Sequence, residues 1–180
     1  MQVSTTFIEG LLVIQPKIFQ DARGYFYEPY NKKAFAEVGI PEDFVQDNQS
    51  FSQKGVLRGM HLQNPPHAQA KLLRVLQGSI LDVAVDIRKA SPTYGKYYSI
   101  ELSAENKTQF YVPKGFAHGF LTLEDNTILL YKCSDFYNKA SEESIVWNDP
   151  DIAIPWNIAQ PILSEKDLNG KKLKEFKSQF

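Results

Sequence analysis

Short apolar runs recur along this 180-residue chain, at 11–14, 25–27, 56–63, 72–76, 80–86, 97–102, 109–112, 120–123 and 128–132, with Gly, Pro, Asn or Asp between them. They are rich in Val, Ile, Phe and Tyr, which suit a pleated surface, and each is too short for a typical helix. Strands at this spacing, punctuated by turn residues, predict an all-β sandwich or barrel. Gln77-Gly78-Ser79, Ser91-Pro92-Thr93-Tyr94-Gly95 and Pro113-Lys114-Gly115 are expected as loops. Two short peripheral helices interrupt the pattern. Asn31 caps one that runs through Val38 and ends at Gly39, and Ser164-Glu165-Lys166-Asp167 has the form of a capping box opening a C-terminal helix. The charged end from Lys166 to Lys177 reads as a solvated helix or tail.

No repeat, low-complexity tract or linker divides the chain, so 1–180 is expected to be a single domain. Its 43% hydrophobic content is enough for a core without disulfides or metal staples. The formal net charge of -1 provides no basic field for a nucleic-acid backbone, so any anion site must be local. Cys133 is the one cysteine and has no partner for an intramolecular disulfide. The N-terminus lacks the charged and apolar regions of a signal peptide, which together point to a reducing cytoplasm. No apolar stretch approaches the roughly 20 residues needed to cross a bilayer.

In Val56-Leu57-Arg58-Gly59-Met60-His61-Leu62-Gln63, alternation places His61 and Gln63 on one face. His61 is either a general base or an ordinary polar contact. Arg58 falls on the opposite face, and the two enter one pocket only if the strand bends or bulges near Gly59. Lys71 shares a face with Leu73 and Val75, so its ammonium either meets an anion or carbonyl inside the barrel or reaches solvent from the strand edge. His118 follows a Pro-Lys-Gly turn and sits between Ala117 and Gly119, where backbone can approach a ligand closely. His67 lies in a Pro-rich loop and is expected at the surface. Three histidines without metal-ligand spacing argue against a metal cluster. Tyr131 shares a face with Leu129 and Cys133, as a core residue or as an acid. Arg23 offers a planar fork suited to a phosphate oxygen, or else a surface pair with Asp21.

The segments Asp21-Ala22-Arg23-Gly24-Tyr25-Phe26-Tyr27-Glu28, Phe44-Val45-Gln46-Asp47-Asn48, Val56 to His61, Val83-Ala84-Val85-Asp86-Ile87-Arg88, Leu102 to Lys107, Gly115 to Phe120, Leu130-Tyr131-Lys132 and Ser164 to Asp167 together resemble the dTDP-4-dehydrorhamnose 3,5-epimerase family. The resemblance covers nearly the whole chain, and eight motifs in order are far more specific than any one. It implies a cupin-type β jelly-roll barrel, a homodimer with an active site inside each barrel, no cofactor and no metal. It further implies a dTDP-linked 4-keto-6-deoxy sugar as substrate, with no nucleic acid or membrane partner.

By motif, His61 matches the family's proton-abstracting base, Asp167 its partner, Tyr131 the proton donor and Lys71 the lysine near the C4 oxygen. His118 and Arg58 match substrate contacts in the pocket. Arg23, Glu28, Gln46, Asn48, Glu142 and Lys166 match positions that contact or support the nucleotide and diphosphate, some of them across the subunit boundary. Ala70 departs from the family pattern, which often has glycine there.

The chemistry wants these residue types. A C4 ketone acidifies the hydrogens at C3 and C5, because the carbanion left behind delocalises onto O4. A base on one face and an acid on the other then suffice, with cationic groups at the developing oxyanion. Other readings are a metal-dependent cupin oxygenase, opposed by Met60-His61-Leu62 in place of a His-x-His pair, and a non-catalytic nucleotide-sugar module, opposed by the presence of both His61 and Tyr131. Within the enzyme reading, the runner-up inverts only C3 or only C5, or uses a different nucleotide-linked 4-keto sugar.

Overall fold

The computed structural model describes residues 1–180. Thirteen strands occupy β1 Gln2–Thr5, β2 Leu12–Gln15, β3 Phe19–Asp21, β4 Gly24–Phe26, β5 Gln46–Ser52, β6 Leu57–Gln63, β7 Lys71–Gln77, β8 Ser79–Asp86, β9 Tyr97–Ser103, β10 Gln109–Val112, β11 Phe116–Thr122, β12 Thr127–Cys133 and β13 Glu142–Ser144. The helices are α1, Lys32–Glu37, and α2, Glu165–Leu168, with a 3₁₀ turn at Leu173–Glu175. One sheet has the order β1-β2-β10-β7-β12-β5, a second has β13-β6-β11-β8-β9, and β3-β4 forms a separate hairpin. The named strand pairs are antiparallel, as the expected all-β jelly roll requires.

The two sheets enclose a core built from their inward rows: Leu73 and Val75 of β7, Phe110, Leu129, Ile80 and Ala84 of β8, and Phe116 and Phe120 of β11. The outer face of the five-stranded sheet is covered too. Leu57, Met60, Leu62, Val83, Val85 and Ala117 pack there against Ile152, Trp156 and Phe176 of the C-terminal segment. This explains why β8 and β11 are buried almost throughout and read as continuous apolar runs. On the other side, Phe35 of α1 and Ile40 lie over Leu72, Tyr111 and Ile14.

Several expectations need correction. The strand expected at 120–123 begins at Phe116, directly after the Pro-Lys-Gly turn, so His118 and Gly119 lie inside it and not ahead of it. The C-terminus is not a solvated helix or tail. α2 is only four residues long, and Phe176 and Ser178 beyond it are buried, because the outer sheet face needs a cover. β1, β3, β5 and β13 were not expected; β5, Gln46–Ser52, is polar on both faces and shows no apolar alternation.

Candidate active site

Where the inward rows turn polar, the barrel opens into a cavity of about 630 Å³. Gln46, Asn48, Arg58, His61, Lys71, His118, Tyr131 and Glu142 all line it. Arg58 and His61 share it because β6 bulges: His118 pairs with His61 and Phe120 with Arg58, so two steps on β11 match three on β6. Gly59 permits this. Its φ is 139°, and a Cβ there would lie 2.5 Å from the Cα of Gly119. The close approach expected of backbone to ligand around His118 is therefore backbone to backbone, Gly119 against Gly59.

His61 Nε2 lies 2.6 Å from Asp167 Oδ1. Asp167 is also the third helical residue of α2, and its Oδ2 accepts from the Ser164 hydroxyl at 2.6 Å in a complete capping box. The Gly59 N–H donates to Oδ1 at 3.2 Å. Burial alone would raise the Asp167 pKa, but bonds from His61, Ser164 and Gly59 bring it down to about 2. An ionised carboxylate can only accept, so the shared hydrogen is on His61 Nε2, and in the neutral imidazole Nδ1 is the nitrogen that keeps its lone pair.

His118 presents Nε2 to both oxygens of Asp82, at 2.9 and 3.0 Å, and Asp82 is fully buried. Sequence reading missed Asp82, although its signal was present: an acid on the inward face of an apolar run, between Ile80 and Ala84, needs a partner.

Lys71 reaches into the cavity, the first of its two expected positions. Burial pushes its pKa down, while Cys133, Asp82 and Glu142 act in the opposite direction. The buried methyl of Ala70 turns the other way, into the cluster beneath α1, so it does not crowd the lysine. Burial raises the Tyr131 pKa, opposed by the Asn48 amide and the Arg58 charge. The phenol therefore holds its proton at neutral pH.

At the rim, Lys166 pairs with Glu142, and the Tyr137 hydroxyl donates to the same carboxylate at 3.1 Å. The segment 134–141 is held through its peptide groups. Tyr137 N–H donates to Gln46 Oε1 at 2.9 Å, Asn138 N–H donates to Gln63 Oε1 at 2.8 Å, and Gln69 Nε2 donates to the Asp135 carbonyl at 2.7 Å. Gln63 and Gln69 were not singled out from sequence.

Arg23 and Glu28 are not brought to this cavity. Arg23 lies on the β3-β4 hairpin, paired to Asp21 at 2.6 Å, with Phe19, Tyr25 and Phe26 exposed beside it. His67 is at the surface as expected, 3.8 Å from Asp135. No three His, Cys, Asp or Glu side chains gather as a metal site would require, and no helix is long and apolar enough to cross a membrane.

The cavity, with two His–Asp pairs, a lysine and a protonated tyrosine, lies at the polar end of the double-sheet barrel, and both sequence and fold have counterparts among known proteins. The sequence model of the family described as dTDP-4-dehydrorhamnose 3,5-epimerase matches residues 5–175. The dTDP-4-dehydrorhamnose 3,5-epimerase of Shigella flexneri is 52% identical over 173 residues, 96% of each chain. The crystal structure of the Elizabethkingia anophelis dTDP-4-dehydrorhamnose 3,5-epimerase superposes with a TM-score of 0.93 at 53% identity, covering 97% of both chains. That of the Legionella pneumophila dTDP-6-deoxy-D-glucose-3,5-epimerase, in complex with dTDP-4-keto-L-rhamnose, gives 0.92 at 50% identity over 96% of this chain and 93% of the other. Fold and sequence agree along nearly the whole length: the chain belongs to the dTDP-4-dehydrorhamnose 3,5-epimerase family.

Proposed function

We propose that the chain converts dTDP-4-dehydro-6-deoxy-D-glucose to dTDP-4-dehydro-L-rhamnose, inverting C3 and C5. The observation that carries this reading is that His61 and Tyr131 enter one cavity from different sheets, β6 of the five-stranded and β12 of the six-stranded. Inversion needs this opposition, because a proton returned to the face it left restores the starting configuration.

His61 Nδ1 takes the proton from the carbon beside the C4 ketone, and Asp167 holds the ring and stabilises the imidazolium. Lys71 donates to the oxyanion growing on O4, and His118, whose Nε2–H is held by Asp82, adds a second donor from Nδ1 when its ring carries both protons. Tyr131 then delivers a proton from the other wall. The ketone already supplies the electron sink, so neither hydride transfer nor a metal is needed. Arg58 gives the substrate a cationic contact in the pocket, and Glu142, paired with Lys166, stands at the nucleotide end, while Gln46 and Asn48, whose amides bond to Tyr137 N–H and to each other, support that wall and do not hold the diphosphate themselves.

Arg23 and Glu28 fit a homodimer in which the hairpin of one protomer reaches the cavity of the other. The exposed Phe19, Tyr25 and Phe26 then supply the apolar contact that the free hairpin leaves open to solvent.

Incubation with dTDP-4-keto-6-deoxyglucose in heavy water tests the reading. Deuterium at both C3 and C5 of an inverted product is the expected result. Label at one carbon identifies a single-site epimerase, and no label overturns the assignment.

A further inference from the structure

Gln46 and Asn48 face the cavity from β5, directly opposite Cys133 and Tyr131 of β12. The polarity of both amides is fixed by a single backbone group. The Tyr137 N–H can only donate, so the Gln46 atom 2.9 Å away must be the acceptor Oε1. That turns Gln46 Nε2 toward Asn48, where it donates to Oδ1 at 2.9 Å. With its oxygen engaged, Asn48 presents Nδ2 to β12, 3.7 Å from Cys133 Sγ, and its cross-strand partner on that strand, lining the same cavity, is Tyr131.

We propose that Tyr137 N–H, Gln46 and Asn48 form a relay of fixed polarity that keeps an amide donor at the Tyr131 oxygen. Asn48 is thereby a positioning residue that stabilises the phenolate left when Tyr131 gives up its proton. The inference rests on the reading of Tyr131 as the acid. In that step the Tyr131 O–H bond breaks and a C–H bond forms at the carbanion carbon, using the enolate electron pair, while the C4–O4 bond returns to a ketone. The negative charge moves to Tyr131 Oη and stays until solvent returns a proton. Cys133 and Glu142 disfavour charge at that oxygen and Arg58 favours it. The Asn48 amide acts in the same direction as Arg58, against the burial that opposes ionisation.

Two near-isosteric variants test this. Asn48→Asp removes the donor. Gln46→Glu still accepts from Tyr137 N–H but cannot donate, so the Asn48 amide turns its NH₂ toward position 46 and its oxygen toward Tyr131. In heavy water with dTDP-4-keto-6-deoxyglucose, both are expected to keep deuterium exchange through His61 while inversion falls about tenfold or more. In protein carrying ¹³C-labelled tyrosine, the resonance missing from Tyr131→Phe should titrate at higher pH in both. Adding Asn48→Asp to Tyr131→Phe should slow inversion no further.

The relay is overturned if folded Asn48→Asp and Gln46→Glu leave the Tyr131 titration unchanged, or if exchange and inversion fall together by the same factor with and without the Tyr131 hydroxyl. If Tyr131→Phe itself inverts at the unaltered rate, the acid assignment fails instead, and the titration still reports on the relay.

Discussion

His61 and His118 stand directly opposite each other across the β6–β11 pair, and each presents Nε2 to a carboxylate buried behind it, Asp167 at 2.6 Å and Asp82 at 2.9 Å. The two pairs differ in access. The His61 side chain is 32% exposed and that of His118 8%, so only His61 is placed to exchange a proton with solvent after each turnover.

His61→Asn is expected to lower turnover by about 10²–10⁴-fold with the fold preserved. Substrate deuterium exchange should fall with it, whereas Tyr131→Phe should keep exchange and return mostly unchanged stereoisomer. Exchange at the normal rate in His61→Asn would remove His61 as the base.

Asp82→Asn keeps the shape of the side chain but not its charge, leaving His118 less firmly oriented at O4. A drop in turnover of about 10–100-fold is expected, by analogy with the carboxylates that orient metal-bound histidines. Steady-state rates within twofold of the unaltered protein would make Asp82 a packing residue.

Arg23→Ala should weaken dTDP binding in the dimer, measured by calorimetry, and leave rates of the bound substrate nearly unchanged. Light scattering should give twice 20.5 kDa. A monomer at micromolar concentration would leave the hairpin without a cavity to serve.

Gly119→Ala places a methyl 2.6 Å from Met60 Sδ and 2.8 Å from the Arg58 carbonyl, so the β6 bulge must move. Overpacking of this kind costs about 1–3 kcal/mol. Thermal denaturation should show the loss, and activity should fall further than stability because Arg58 and His61 both shift. An unchanged melting temperature would show the contact to be slack.

Asp86 is fully buried and accepts bonds from Arg88, Ser91 and Thr93, which overcome burial and set its pKa at about 2, as for Asp167. Unfolded, both groups would titrate near 3.9, roughly the ordinary Asp value. The folded state thus binds fewer protons, and this stability is present above about pH 4 and lost as pH falls toward 2. Urea midpoints should be flat above that window and drop within it, with a shallower drop in Asp86→Asn. Equal slopes for the two proteins would contradict the assignment.

The regular strands of the core were legible because apolar alternation marks them, and β6, β8, β10 and β12 lie within a residue or so of their expected bounds. β5 was not legible, because its inward residues Gln46, Asn48 and Ser50 face the polar end of the barrel, so a functional wall erases the pattern used to find strands. Asp167 could be read either as a helix cap or as the partner of His61, and it is both, one oxygen for each. What sequence left open at Arg58 depended on the bulge, a register feature that spacing can suggest but only pairing fixes.

Gln46, Gln63 and Gln69 hold the 134–141 segment by its carbonyls and N–H groups, while the Phe136 ring is exposed and the Tyr137 side chain lines the rim, bonded to Glu142. A grip on peptide groups is blind to side-chain identity. The mouth of the barrel is therefore largely a modular part: a replacement segment of equal length that keeps the side-chain bonds of Ser134 and Tyr137 would find the same three anchors, and its other side chains could remould the entrance while His61, Lys71 and Tyr131 stayed on their strands.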